Sequence, residues 1–84
     1  MAIYAGTMLF DLDPDSEVPL YRQLADHLRR RIADEGLTRL PSQRTLEQEY
    51  GVSLPTVQAA VELLIADGLV RVSPGKGTFV TRPE

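Results

Sequence analysis

Residues 40–66, LPSQRTLEQEYGVSLPTVQAAVELLIA, read as two helices separated by a tight turn. Pro41 biases Leu40 towards extended backbone. The Ser42 hydroxyl can accept from the free N–H groups of a first helical turn, so a helix is expected to begin here. Leu46 and Tyr50 lie four apart on one face, and Gly51 follows where a helix ends in a left-handed residue. Ser53 is a second N-cap, with Val52 and Val57 at the spacing of a hydrophobic staple. Val57, Val61, Leu64 and Ile65 supply the apolar stripe of the second helix, and Asp67-Gly68 stops it. Two short helices around a glycine turn can carry the second helix into a DNA groove. On spacing alone they fit a plain αα-hairpin equally well.

Upstream, Pro19 suits the first turn of a helix, where its missing N–H does no harm. Leu20, Leu24, Leu28 and Ile32 recur every four residues, which predicts an amphipathic helix to about Ala33. Arg29-Arg30-Arg31 would then sit at the negative end of the helix dipole. His27 has no second His or Cys nearby and reads as a solvated or core-edge residue. Residues 35–39 are a short connection. Downstream of Gly68 the period changes. Leu69–Val72 and Thr78–Thr81 are β-branched and aromatic runs joined by Ser73-Pro74-Gly75-Lys76-Gly77, a β-hairpin with a basic, glycine-rich tip. A phosphate-binding loop would need a following helix, which this tip lacks.

Three helices and a terminal hairpin make a mainly α fold, a winged helix-turn-helix over residues 19–81. Residues 1–18 are expected to form an extended N-terminal arm, with an apolar run at Met8-Leu9-Phe10 and turn chemistry at Asp13-Pro14-Asp15-Ser16. Residues 82–84 are a tail. At 84 residues the chain is expected to be one small domain. It has no cysteine, which excludes disulfides and thiolate metal sites. No carboxylate pair, nucleophile–base set or metal-ligand spacing appears, so no catalytic residue, metal or cofactor is expected. No apolar run is long enough for a membrane span, and the N-terminus lacks the basic and apolar regions of a signal peptide. A cytoplasmic protein is the expectation. The net charge of −3 is uneven. Residues 1–21 carry only acids, whereas residues 22–83 carry all nine Arg and Lys against seven acids.

The ordered motifs narrow the reading. Pro19-Leu20-Tyr21-Arg22-Gln23-Leu24, Leu40-Pro41-Ser42, Tyr50-Gly51-Val52-Ser53, Gly68-Leu69-Val70 and Gly75-Lys76-Gly77-Thr78-Phe79-Val80 together resemble the N-terminal domain of the GntR family of bacterial transcription regulators. The resemblance implies a winged helix whose third helix enters the major groove of DNA while the wing tip approaches the minor groove. It also implies a C-terminal effector-binding or dimerising domain. The chain stops three residues past the wing, so it is expected to be a domain of a longer regulator or a small stand-alone protein, with no small-molecule effector site of its own. Gln43 stands where the family usually has Glu, and Leu54 and Gln58 stand where Arg is common. No charged side chain lies between Val52 and Val61.

On this reading double-stranded DNA is the partner, bound as a homodimer to which Met8-Leu9-Phe10 adds contact. Ser42, Arg44 and Thr56, with Gln43 and Ser53 beside them, sit at helix starts suited to phosphates. Arg39 and Lys76 are further phosphate contacts. Leu54, Pro55 and Gln58 would face the bases; Gln suits adenine, and Leu and Pro suit thymine methyls. Gly75 and Gly77 would let the wing backbone come close to a groove. The alternative is a protein-binding winged helix that uses the uncharged residues 53–60 as its contact.

Overall fold

The computed structural model describes residues 10–81, which form three helices followed by an antiparallel hairpin. Helix α1 spans Leu20–Glu35, α2 Gln43–Tyr50 and α3 Leu54–Ala66; strands β1 (Val70–Ser73) and β2 (Gly77–Val80) make the wing. The expected fold class is the observed one.

Helix α1 begins after Pro19 and runs to Glu35, two residues beyond the expected end, because Gly36 at φ 65° is the first residue to leave the helical region. That extension corrects the dipole reading of the arginine run. No base lies in the last turn. Arg29 instead pairs with Asp26 and with Asp67 beyond α3. Arg31 reaches Glu35 at 3.4 Å and Glu49 at 3.1 Å. Helix α2 is capped as expected, the Ser42 hydroxyl accepting from the Thr45 N–H at 3.1 Å, and Gly51 closes it at φ 64°. Ser53 is the N-cap of α3 but makes no side-chain cap bond; its hydroxyl pairs with that of Thr56 at 3.1 Å. Pro55 is tolerated in this first turn, where an N–H has no helical acceptor.

One core joins all the elements. Leu24, Ala25, Leu28 and Ile32 of α1 meet Leu46 and Tyr50 of α2, Val57, Ala60, Val61 and Leu64 of α3, and Leu40 and Val70. Full burial of each large side chain contributes about 1.5–3 kcal/mol. Ile65, expected in the stripe, is 39% exposed. The helical period places Ala60 inward in its stead, one turn before Leu64.

The hairpin pairs Val70 with Val80, Arg71 with Phe79, Val72 with Thr78 and Ser73 with Gly77. Its edge is extended by the connection before α2, which had no expected structure. Arg39 bridges Phe79, the Leu40 N–H donates to the Thr78 carbonyl at 2.9 Å, and the Val80 N–H donates to the Thr38 carbonyl at 2.9 Å. This bridge ties the wing to the start of α2.

Residues 10–18 form turns and no strand. The Asp13 carboxylate accepts from the Asp15 N–H, and the Ser16 hydroxyl from the Val18 N–H. Gln23 clamps this segment: its amide donates to the carbonyls of Asp13 and Val18 and accepts from the Asp13 N–H, at 2.7–2.8 Å. Phe10 is half-buried, stacked on Tyr50 at 4.9 Å and tilted over His27 at 4.8 Å. Phe10 therefore packs against its own core; Met8 and Leu9, expected with it to add to a dimer contact, lie outside the described residues.

His27 takes the core-edge position. Its Nδ1 lies 2.6 Å from the buried Tyr50 hydroxyl, which also accepts from Arg31 at 3.3 Å. The phenol oxygen accepts from Arg31 and can give its own proton to Nδ1 when the imidazole is neutral with Nδ1 bare. Burial, then the nearby Arg30 and Arg31 charges, pull the His27 pKa below its ordinary 6.5. Burial pushes that of Tyr50 up.

Candidate nucleic-acid interface

The expected site residues fall into two groups. The first gathers at the junction of α2 and the wing. Lys76 N–H donates to the Ser73 carbonyl at 2.9 Å, closing a turn with Pro74 second and Gly75 third at φ 76°. That third position needs a positive φ, which glycine adopts without strain. Arg39 reaches up to this turn and donates from Nη2 to the Lys76 carbonyl at 2.6 Å. A Cβ on Gly77 would stand 3.0 Å from the Nε and Nη2 of Arg39. Gly77 sits at φ 129°, a backbone that favours glycine, and a side chain there would also press on the arginine.

Between this tip and the start of α2 lies an open cleft of about 800 Å³. Ser42, Gln43 and Thr45 line one side, Val72, Gly75 and Lys76 the other, and Arg39 and Gly77 also border it. Ser42, Gln43 and Arg44 are all exposed at the helix start. The Ser42 hydroxyl, however, is committed twice, accepting from the Thr45 N–H and donating to the Thr45 hydroxyl at 2.9 Å. Gln43 and Arg44 carry the free donors there.

The second group is the start of α3, outside the lining of the cleft. Ser53, Leu54, Pro55 and Gln58 are exposed, Thr56 is half-buried, and Val57 turns inward. Leu54 is 38% exposed, a large apolar side chain left to solvent on a polar surface. Glu62, one turn beyond Gln58, is also exposed. It is a carboxylate on this face that the motif-based site left out, although its i+4 spacing from Gln58 was there to be read.

Charge sorts the molecule further. Arg29 and Arg31 are held by carboxylates. Arg22, Arg30, Arg39, Arg44, Arg71 and Lys76 make no ion pair among the described residues. Four of these six belong to the wing, its edge or the start of α2. Arg71 was not among the expected site residues. No group of His, Asp or Glu among the described residues is placed to hold a metal ion, and no helix among them is long and apolar enough to cross a membrane.

The model of the gntR family of bacterial regulatory proteins matches residues 20–80. The transcriptional repressor NagR of Bacillus subtilis is 32% identical over 77 residues, 88% of this chain and 32% of NagR. The mannosyl-D-glycerate transport/metabolism system repressor MngR of Escherichia coli is 40% identical over 65 residues, 74% of this chain and 27% of MngR. The chain thus spans about a third or less of the length of these relatives. Among solved structures, the AraR DNA-binding domain in complex with operator ORX1 superposes with a TM-score of 0.79 at 31% identity. That match covers 88% of this chain and 98% of the AraR domain.

Proposed function

The chain belongs to the GntR family of bacterial regulatory proteins, and from that premise we propose that it reads operator DNA for a transcription regulator. The start of α3 enters the major groove, and the phosphate backbone lies along the cleft between α2 and the wing. The carrying observation is the placement of cations. Arg39 and Lys76 border the cleft and Arg44 stands at the start of α2, all without carboxylate partners among the described residues, beside exposed amide and hydroxyl groups. An anion is what that arrangement lacks. The resemblance to a domain bound to its operator, complete over 98% of that domain, supports the same partner. Such a protein acts where the chromosome is, in the cytoplasm.

Bases are read by Gln58, which suits the paired acceptor and donor of adenine, by Thr56, and by Leu54 and Pro55 packing on thymine methyls. The protein binds as a homodimer on an inverted repeat, because one protomer with so few free cations holds DNA weakly and two half-sites multiply the affinity. A gel shift on fragments from a random-sequence selection tests the reading at low salt. Three phosphate contacts from Arg39, Arg44 and Lys76 give a slope of log K against log salt of about −2 to −3 per protomer. Sedimentation of the complex should find two protomers per site; one per site removes the dimer. The exposure of Leu54 beside Pro55 favours a second reading, a protein-binding module that docks a partner on the start of α3. That reading prevails if no fragment shifts at micromolar protein.

A further inference from the structure

One basic surface adjoins the cleft through Arg39 and adds a residue, Arg71, that lies outside the expected site. Along β1 and β2, Val70 and Val80 face the core, so the alternate residues Arg71 and Phe79 face away from it. Arg39 bridges Phe79 from the other edge. The three side chains therefore stand side by side across the outer face of the wing. Both guanidiniums lie over the single aromatic ring, Arg39 at 5.4 Å and Arg71 at 5.5 Å from its centroid.

Shielding the ring from water would take one of them. Two like charges gathered over one ring repel, and neither has a carboxylate among the described residues. The ring also limits the rotamers of both, so less freedom is lost when an anion arrives. Arg39 joins this face to the cleft, because the same guanidinium holds the Lys76 carbonyl at the wing tip. A strand of backbone leaving the cleft past Lys76 would meet Arg39 and then Arg71.

We propose that the outer face of the wing, with Arg71 and Arg39 laid over Phe79, is a second phosphate strip that takes the DNA backbone flanking the half-site. The inference rests on the DNA reading above and adds a contact, and a length of duplex, that the helix-turn-helix alone does not use. Arg71 carries the strip's own charge; Phe79 positions it.

The test compares two duplexes from a random-oligonucleotide selection: the minimal site, and the same site with about one helical turn, ten base pairs, added on each side. Affinity is read by fluorescence anisotropy across a salt series. The wild-type slope should steepen by about 0.9 per protomer on the longer duplex. Arg71→Ala should show no such gain, and should bind the longer duplex about eightfold more weakly per protomer at 0.1 M salt, with the deficit closing near 1 M. Arg71→Lys, which keeps the charge, should restore the slope. Lys76→Ala should flatten the slope on both duplexes. If Arg71→Ala keeps the wild-type slope on the longer duplex while Lys76→Ala loses it, the strip does not hold phosphate and this inference falls alone. If the wild type binds neither duplex, the DNA reading falls and takes this inference with it.

Discussion

The two ends of this molecule differ in their arginines: α1 ties Arg29 and Arg31 into ion pairs and leaves Arg22 and Arg30 unpaired, whereas the wing end pairs none among the described residues. Around α1 and the C-terminal end of α2, Arg31 is drawn in against Glu49, Glu35 and the Tyr50 hydroxyl, and it also lies 4.8 Å over the Phe10 ring. Arg29 is tied to Asp26 and Asp67. At the other end, Arg39, Arg44, Arg71 and Lys76 meet only carbonyls, rings or solvent among the described residues. A paired arginine with most of its surface covered holds helices together. An unpaired one is a charge awaiting a partner. The difference separates the cations that build this small fold from those that would serve it, which composition alone cannot do.

The comparison predicts that the paired end is where stability is lost. Tyr50 is 1% exposed and links Phe10, His27 and Arg31. Tyr50→Ala should cost about 3–5 kcal/mol, the usual toll of truncating a buried aromatic residue. Urea denaturation measures it, and a loss below about 1 kcal/mol would mean that the cluster is ornamental to the core. Gln58→Ala probes the opposite end. It should cost roughly 1–3 kcal/mol on the selected site and almost nothing on random DNA, where phosphates dominate. Stability should move by less than about 0.5 kcal/mol, because the residue is exposed. A selection that returns guanine-rich half-sites, or an unchanged preference in the variant, would show that Gln58 does not read bases.

A sharper form of the comparison sets two arginines against each other. Arg31→Ala leaves Glu49 without its cation and should lower stability by about 1–3 kcal/mol, with the salt slope of DNA binding untouched. Arg44→Ala should do the reverse, with unfolding unchanged and the slope flatter by about 0.9. Should both variants flatten the slope equally, the division between building and binding cations is lost.

Which arginine belonged to which class was only half legible in the chain. Local signals were readable: the Ser42 cap, the αL glycine at Gly51, the Asp13 turn and the four-residue spacing of α1 all depend on neighbours a few residues apart. The bond from Arg29 to Asp67 spans 38 residues and that from Arg31 to Glu49 spans 18, so neither leaves a periodic trace. Read locally, the run Arg29-Arg30-Arg31 suits only the helix dipole. The Arg39–Phe79 bridge was hidden for the same reason, since one paired residue is too short to alternate. At the candidate site, motif order placed the wing tip and both helix starts. Arg71 is not legible as a site residue, because an outward residue in a strand resembles ordinary solvated surface until its cross-strand partner is known. Ile65 erred the other way: an apolar residue beside Leu64 joined a stripe that the helical period had already filled with Ala60.

The smallest effect expected lies in the closed cluster and concerns pH. A neutral His27 ring can accept the Tyr50 hydroxyl, and burial together with Arg30 and Arg31 lowers its pKa below 6.5, against a weaker opposing pull from Glu35. In the unfolded chain the imidazole regains its ordinary affinity for a proton. Between the two values the unfolded state binds more protons than the native one, so stability rises with pH there. His27's contribution is fully present above pH 6.5 and is lost as pH falls from 6.5 through the folded value. A protonated ring could no longer accept the Tyr50 proton, and it would add a third cation beside Arg30 and Arg31. His27→Asn removes the titration while its amide oxygen can still accept the hydroxyl. The wild type should therefore lose stability relative to this variant between about pH 7 and 5, and the wing-side variants should not alter that difference. Urea midpoints for both proteins over that range measure it, and a difference that stays flat with pH would mean that His27 titrates alike folded and unfolded.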